Sequence, residues 1–188
     1  RLDEARDARD YNMMEKLMAE FSHVTEEPSA KVKMYMKWHF GLVAISRKDF
    51  VTSNTLLEYA LHIAEKYKYK DYLPHLHMAI GNTKYYLGEK SLKHYAYAEE
   101  LCHGLEVPNF KLEMKILHNL IASYTRDGQY RKVILKCKRA INLLNQNESA
   151  YLMGDIYCLW INAHGQLGEW DEYEDLKAKT RIIFEHGN

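Results

Sequence analysis

The side chains best equipped for chemistry in this chain are its 10 histidines and 3 cysteines. At short spacing these would be metal ligands, or a nucleophile with its base. His75-x-His77 and Cys102-His103 lack the compact spacing of zinc sites, because neighbouring positions on a helix point in different directions. Cys158 with His118 or His164 would pair thiol and imidazole only across separate segments, without a local nucleophile signature. No glycine-rich loop follows a strand, and Gly81-Asn82 and Gly104 lie inside helical text, so a phosphate cradle is not expected. The chain is read as having no metal, no cofactor and no catalytic centre.

Composition sets further limits. A length of 188 residues with 47% hydrophobic content suffices for one compact domain or one short solenoid. Basic and acidic residues number 26 each, so the basic excess of a nucleic-acid grip is missing and no direct nucleic-acid contact is expected. The 15 tyrosines then read as amphipathic packing residues at helix seams rather than as base-stacking platforms. Cys102, Cys137 and Cys158 are odd in number and without close pairing, which points to reduced, buried thiols and a cytoplasmic setting. The longest apolar runs, such as Gly41 to Ser46, fall far short of the roughly 18 residues of a membrane span. No charged-then-apolar signal segment opens the chain. Arg1 to Arg9 already reads as helix, so a longer protein with an N-terminal output domain outside this sequence is expected.

Helices must position these side chains, since only 3 prolines and 9 glycines punctuate the sequence and turn clusters are short. The turns Lys48-Asp49-Phe50, Gly88-Glu89-Lys90, Gly128-Gln129-Tyr130 and Gly168-Glu169-Trp170 recur at steps of 40. Phe40, Ile80, Leu120 and Trp160 form a large apolar column, followed at once by Gly41, Gly81, Ile121 and Ile161. Val43, Thr83, Ser123 and Ala163 form a column of modest size, as close helix packing requires. Leu61, Leu101 and Ile141 form a fourth, broken at Arg181.

Between turns the apolar spacing is helical, as in Ile116, Leu117, Leu120, Ile121 and Tyr124. First helices are predicted over about 30–47, 73–87, 110–127 and 150–167, and second helices over about 50–67, 91–105, 130–145 and 170–185. Ser29 suits an N-cap and Pro74 an early helical turn. The pairs give repeats over 30–67, 73–105, 110–145 and 150–185 of a single domain, 1–188. Residues 1–24 form a partial or capping pair about Asp10-Tyr11, and Thr25 to Pro28 is the least regular joint. Stacking supplies the core that one pair cannot build alone. Ile182, Ile183 and Phe184 close the last helix with no further repeat to cover them, so they fold back on the fourth pair or meet a second copy in a homodimer.

Leu117-x2-Leu120-Ile121-x2-Tyr124, then Gly128-Gln129-Tyr130 and Ala140, resemble the tetratricopeptide pattern. The first unit agrees through Phe40, Gly41, Ala44, Asp49-Phe50 and Ala60. Lys37, His77 and Lys84 depart from it at positions that usually pack, and Glu100 and Thr180 stand where alanine is usual. The period exceeds the usual one of about 34 and touches HEAT-type repeats, but the short turn at every unit favours the tetratricopeptide reading. The resemblance implies an all-α, right-handed superhelix of tetratricopeptide-like helix pairs. With the opening Leu2-Asp3-Glu4-Ala5-x4-Arg9-Asp10-Tyr11-x2-Met14-x2-Leu17, the chain resembles the sensor half of Gram-positive peptide-responsive regulators, the Rap, NprR, PlcR and PrgX group. That resemblance implies an intracellular receptor for a short signalling peptide, usually dimeric, joined to a helix-turn-helix or helical output domain.

In such repeats the first helices line the concave face. The resemblance places there Trp38, Leu42 and Ile45; Met78, Asn82 and Tyr85; His118, Ala122 and Thr125; and Cys158, Asn162 and Gly165. Tyr35, His75, Lys115 and Asp155 lie one turn earlier. Asn82 and Asn162 share a repeat column, and an amide can donate to a peptide C=O while accepting from a peptide N–H. Each such bond contributes about 1 kcal/mol, so Tyr35, Trp38 and Tyr85 would supply much of the affinity by burial. Lys115, His118 and Arg126 could attract a peptide carboxylate. The same asparagines and cations would equally sit solvated on helix faces. Besides the sensor of a transcription regulator, two alternatives remain: a passive scaffold docking a folded partner, and the sensor part of a Rap-like response-regulator phosphatase.

Overall fold

The computed structural model describes residues 1–22 and 27–186. Among them are no strands, and ten α-helices follow one another: α1 Leu2–Asp7, α2 Tyr11–Ser22, α3 Ala30–Ser46, α4 Phe50–Lys66, α5 Leu73–Tyr86, α6 Leu92–His103, α7 Phe110–Arg126, α8 Tyr130–Gln146, α9 Met153–Gln166 and α10 Trp170–His186. The end of the expected second helix at Val24, and the first half of the joint from Thr25 to Pro28, lie outside the described residues. The helices form two compact units, Arg1–Leu105 and Glu106–Asn188.

One local device ends the first helix of each pair. Lys48, Gly88, Gly128 and Gly168 take left-handed φ values of 62°, 75°, 68° and 72°. The next residue then donates its amide to the carbonyl five positions back: Asp49 to Ala44 at 2.9 Å, Glu89 to Lys84 at 2.8 Å, Gln129 to Tyr124 at 2.8 Å and Glu169 to His164 at 3.0 Å. This closure satisfies a carbonyl that the helix end would otherwise orphan, and turns the chain for the following helix. Arg9, with φ 56° and Asp10 N–H bonded to Ala5 O at 2.8 Å, ends α1 in the same way. The new helices start on caps: Asp49 accepts from Thr52 N at 3.1 Å, Asn109 from Leu112 N at 3.0 Å and Ser29 from Val32 N at 3.4 Å. Pro74 occupies the first turn of α5, where its missing N–H costs nothing.

In the first unit α3 packs on α4, α4 on α5 and α5 on α6. The main core there holds Met34, Trp38, Leu57, Ile63, Leu76 and Ile80, and a smaller one joins Ala5, Met14 and Met18 to Val43. Two glycines set the helix separation. A Cβ on Gly41 would lie 2.7 Å from Leu57, and one on Gly81 2.6 Å from the Tyr95 ring. In the second unit the core runs through Met114, Leu117, Ile121, Val133, Cys137, Leu144 and Ile156. There Ile121 fills the column position that glycine holds in the first unit.

The column of Val43, Thr83, Ser123 and Ala163 is buried throughout, and Thr83 Oγ1 shares a buried hydrogen bond with Ser53 Oγ at 3.0 Å. The large apolar column needs correction. Ile80 and Leu120 are fully buried, but Trp160 is half-buried and Phe40 is 37% exposed. Helix α3 is covered on two sides, by α2 at Val43 and by α4 and α5 at Met34 and Trp38, and Phe40 shares a third face with Lys33 and Lys37. The expected burial of all three thiols is also corrected. Cys102 and Cys137 are buried, whereas Cys158 is exposed on the face of α9 that carries Asp155 and Asn162. Helix α9 begins at Met153 rather than near 150 because Leu152 is left-handed, with φ 63°. Ile182, Ile183 and Phe184 are 60%, 37% and 48% exposed, although the Phe184 ring reaches back over Gly154, within 3.5 Å of where a Cβ would stand.

Gly81→Ala forces the Tyr95 ring aside and is expected to destabilise the chain by about 1–3 kcal/mol. Lys48→Gly, which removes a side chain from a left-handed position, is expected to stabilise it by about 1 kcal/mol. Urea midpoints measure both, and an unchanged midpoint for Gly81→Ala would mean that the close approach is not a constraint.

Candidate functional site

The first unit gathers an aromatic cluster from α1, α3, α5 and the short 3-10 turn Lys70–Tyr72. Tyr35 and Trp38 meet edge to face at 5.9 Å, and Tyr72 meets them at 6.3 Å and 6.1 Å. His75 lies 5.3 Å from Trp38, while His39 lies 4.2 Å from Tyr35 and 4.7 Å from Trp38. From α1, the Arg6 guanidinium sits 5.0 Å over the Trp38 ring and pairs with Asp3 at 2.6 Å. Three of the expected site residues, Tyr35, Trp38 and His75, thus come together. Trp38 is only 3% exposed, so it supports the cluster from within, and half-buried Tyr35, Tyr72 and His75 form its outer part. Asp3, Arg6, His39 and Tyr72 were not picked out from sequence.

Burial governs the ionisation here. It pushes the His39 imidazole down to about 4 against an opposing hydrogen bond to the Tyr35 carbonyl. It also raises the Tyr35 hydroxyl well above its ordinary range, helped by a hydrogen bond to Asp3. Burial resists ionisation of Asp3, but its bond to Tyr35 and the charge of Arg6 hold the carboxyl below the usual range.

Two helical turns along α5 from His75 stands Asn82. The buried Tyr95 hydroxyl donates to its Oδ1 at 2.8 Å, which fixes the direction of the amide. Gly81 is what lets the Tyr95 ring pass close enough to do so. Tyr85 is half-buried next to Tyr86, edge to face at 5.8 Å.

In the second unit Lys115 and His118 are half-buried on α7, and His118 Nδ1 lies 3.4 Å from Asn119 Oδ1. Arg126 ends α7 beside Asp127 at 3.5 Å. Asn162 is exposed on α9. The two asparagines of one repeat column therefore differ. The residue in Tyr95's place two periods later is Asp175, exposed and paired with Lys179 at 2.6 Å.

Two further groupings escaped the sequence reading. Trp160 Nε1–H donates to His164 Nε2 at 3.0 Å, so the His164 proton is on Nδ1, which donates to Glu169 Oε2 at 2.6 Å. Arg131 completes the chain on Glu169. In the first unit His77 and His94 face each other, Nδ1 to Nδ1, at 3.2 Å. Burial lowers both imidazoles, His94 to about 4 with the charge of His77 contributing. Seventeen positions separate the two histidines, and only the α5–α6 turn brings them together. Among the described residues no group of three or more histidine, cysteine, aspartate or glutamate side chains could hold a metal ion, and no helix is long and apolar enough to cross a membrane.

His39 makes stability depend on pH. The unfolded chain binds a proton near 6.5 and the folded one only near 4, so stability present above 6.5 is lost as the pH falls through this window. The full difference is on the order of 3 kcal/mol. In His39→Gln the slope of urea stability between pH 6.5 and 4 is expected to flatten without vanishing, since His94 is also held near 4. An unaltered slope would show that His39 is not a buried neutral base.

No family model matches the chain, and no curated protein matches it. Solved structures do. Aspartyl phosphate phosphatase F from Bacillus subtilis matches with a TM-score of 0.74 at 18% identity, over 86% of this chain and 43% of the phosphatase. PlcR from Bacillus thuringiensis, in complex with the peptide PapR7 and DNA, matches with a TM-score of 0.74 at 17% identity, over 98% of this chain and 67% of PlcR. Its apo form gives 0.75 at 17% identity, with 98% and 69% covered. The chain thus spans less than half the length of the phosphatase and about two thirds of PlcR. At these identities the likeness is one of fold: this chain has the all-helical fold found in PlcR and in the aspartyl phosphate phosphatase, the group that its opening helices and turns resemble.

Proposed function

We propose that this chain is the sensor part of a bacterial transcription regulator, working in the cytoplasm and binding a short linear peptide rather than catalysing a reaction. The observation that carries this reading is Asn82. Its amide is aimed by Tyr95 and stands on the same helix as His75 of the half-buried aromatic cluster, two turns along. An oriented amide beside aromatic surface can read a peptide backbone while the rings bury its side chains. The fold likeness to PlcR, whose structure holds the peptide PapR7 and DNA, supports the same reading. Peptide bound along the first helices, at Tyr35, His75, Asn82 and Tyr85 in the first unit and at Lys115, His118, Arg126 and Asn162 in the second, each unit taken by itself, would change the packing of its helix pairs and so act on an attached output domain. Nucleic acid would then be touched by that domain and not by this chain. A homodimer through the exposed Ile182 and Phe184 fits the same scheme.

The likeness to the aspartyl phosphate phosphatase favours a second reading, in which the attached part acts on a response regulator. Peptide sensing by this chain is common to both.

The test is capture from a pooled library of short unmodified peptides, followed by calorimetry on the captured sequence. The Asn82→Ala, Asn162→Ala double variant is expected to lose about 30-fold in affinity, two hydrogen bonds of about 1 kcal/mol each. Tyr95→Phe, which removes the hydroxyl that aims the Asn82 amide, should lose about fivefold. Unchanged affinity in the double variant would remove the asparagines from the site, and a library with no binder would favour the passive scaffold.

A further inference from the structure

Two buried nitrogens in the aromatic cluster have no hydrogen-bond partner: Trp38 Nε1 and His39 Nε2. Trp38 is 3% exposed and His39 fully buried, and orphaned polar atoms at such depth are uncommon and costly. Their chemistry is fixed by their surroundings. An indole N–H only donates. His39 Nδ1 lies 2.7 Å from the Tyr35 carbonyl, which only accepts, so Nδ1 carries the proton and Nε2 offers a lone pair. With the imidazole held down at about 4 by burial, that lone pair is present at neutral pH. Adjacent residues, with rings 4.7 Å apart, thus present one unsatisfied donor and one unsatisfied acceptor.

That pair discriminates among ligand groups. A carboxylate would satisfy Trp38 and leave His39 unmet, and an ammonium would do the reverse. A peptide backbone supplies both kinds of group, a C=O for Trp38 and an N–H for His39. What lies across the pair is α1. Arg6 covers the Trp38 ring at 5.0 Å, and Asp3 holds Arg6 at 2.6 Å and bonds to Tyr35. The charges of Arg6 and Asp3 also act on His39. Helix α1 has six residues and buries only Ala5, and ion pairs and cation–π contacts at such partly exposed positions are weak.

We infer that Trp38 Nε1–H and His39 Nε2 are a recognition point for the backbone of a bound peptide, kept shut in the free chain by α1 through Arg6 and Asp3. This rests on the peptide-binding reading and adds to it a regulated entrance. Binding lifts α1, the peptide backbone takes the two orphaned atoms, and the displaced helix carries the signal toward the N-terminus.

The test uses the full chain, labelled with nitrogen-15, and follows the indole N–H resonance of Trp38, assigned by its loss in Trp38→Phe. The probe is N-acetylglycine N-methylamide, a minimal peptide unit without sequence. In wild type it is expected to move the Trp38 resonance downfield, and in Arg6→Ala to do so at about fivefold lower concentration. His39→Phe should abolish the response while the Trp160 and Trp170 resonances stay in place. No movement in either wild type or Arg6→Ala would overturn the inference. So would a long-lived water already bonded to the Trp38 indole in the free protein, seen as a cross-peak between the two. Because the probe has no sequence, a response without any binder in the peptide library would count against the sensing reading alone, and a library binder without a probe response would count against this recognition point alone.

Discussion

Everything in this molecule hangs on how a helix is made to stop. At Lys48, Gly88, Gly128 and Gly168 a single left-handed residue lets the next amide reach back to a carbonyl five positions earlier. The bond does two things at once. It satisfies a helix-end carbonyl, and it points the chain so that the next helix returns along the last. A helix pair closed in this way has one apolar face covered and another open, and that second face must be met by the next pair. The buried column of Val43, Thr83, Ser123 and Ala163 keeps register with the turn, each residue sitting five positions before a left-handed one; in the first unit it faces the preceding pair, Val43 packing on α2 and Thr83 bonding to Ser53 of α4.

Within that frame, side-chain volume at the crossing decides what each unit can present. Gly41 and Gly81 remove volume where α4 and α6 cross their partners, so Leu57 and Tyr95 come in where a Cβ would stand. The consequence at Gly81 is chemical as well as steric. Tyr95 is buried, yet its hydroxyl emerges at Asn82 and sets that amide's direction. In the second unit isoleucine stands at 121 and 161 and aspartate at 175, so Asn162 has no such brace and is exposed. Two residues that one repeat column makes equivalent are thereby given different work.

This is also where legibility in the sequence divides. The helices and turns were readable because they depend on neighbours: a left-handed residue followed by Asp49, Gln129 or Glu169, then a cap, then apolar residues at helical spacing. Tyr35, Trp38 and His75 could be grouped because repeat register places them on matching faces. Burial of each could not be read, since it depends on which neighbours a helix acquires. Helix α3 is covered on two sides, which buries Trp38 and His39 and leaves Phe40 outside, whereas a single apolar stripe would have buried Phe40. Cys158 is exposed for the complementary reason, sharing its face of α9 with Asp155 and Asn162. Arg6 on Trp38 and His77 against His94 join residues with no periodic relation, and nothing local announces them.

The polar groups inside the two units contrast in a way that separates support from recognition. In the second unit Trp160 donates to His164, His164 to Glu169, and Arg131 closes the chain on the same carboxylate. Desolvation works against the Glu169 charge, but the bonds from His164 and Arg131 hold its carboxyl below the usual range. Each link of that chain pairs a donor with an acceptor, and Glu169 is itself the residue whose amide closes the last turn on His164. Such a network ties α8, α9 and α10 together, and any change of partner breaks a bond already made. In the first unit Trp38 Nε1 and His39 Nε2, on adjacent residues, are buried and unsatisfied, with a short helix over the Trp38 ring. A satisfied network resists a ligand because it has nothing left to offer. An unsatisfied pair gains from one, and the gain is greatest for a ligand group that both donates and accepts.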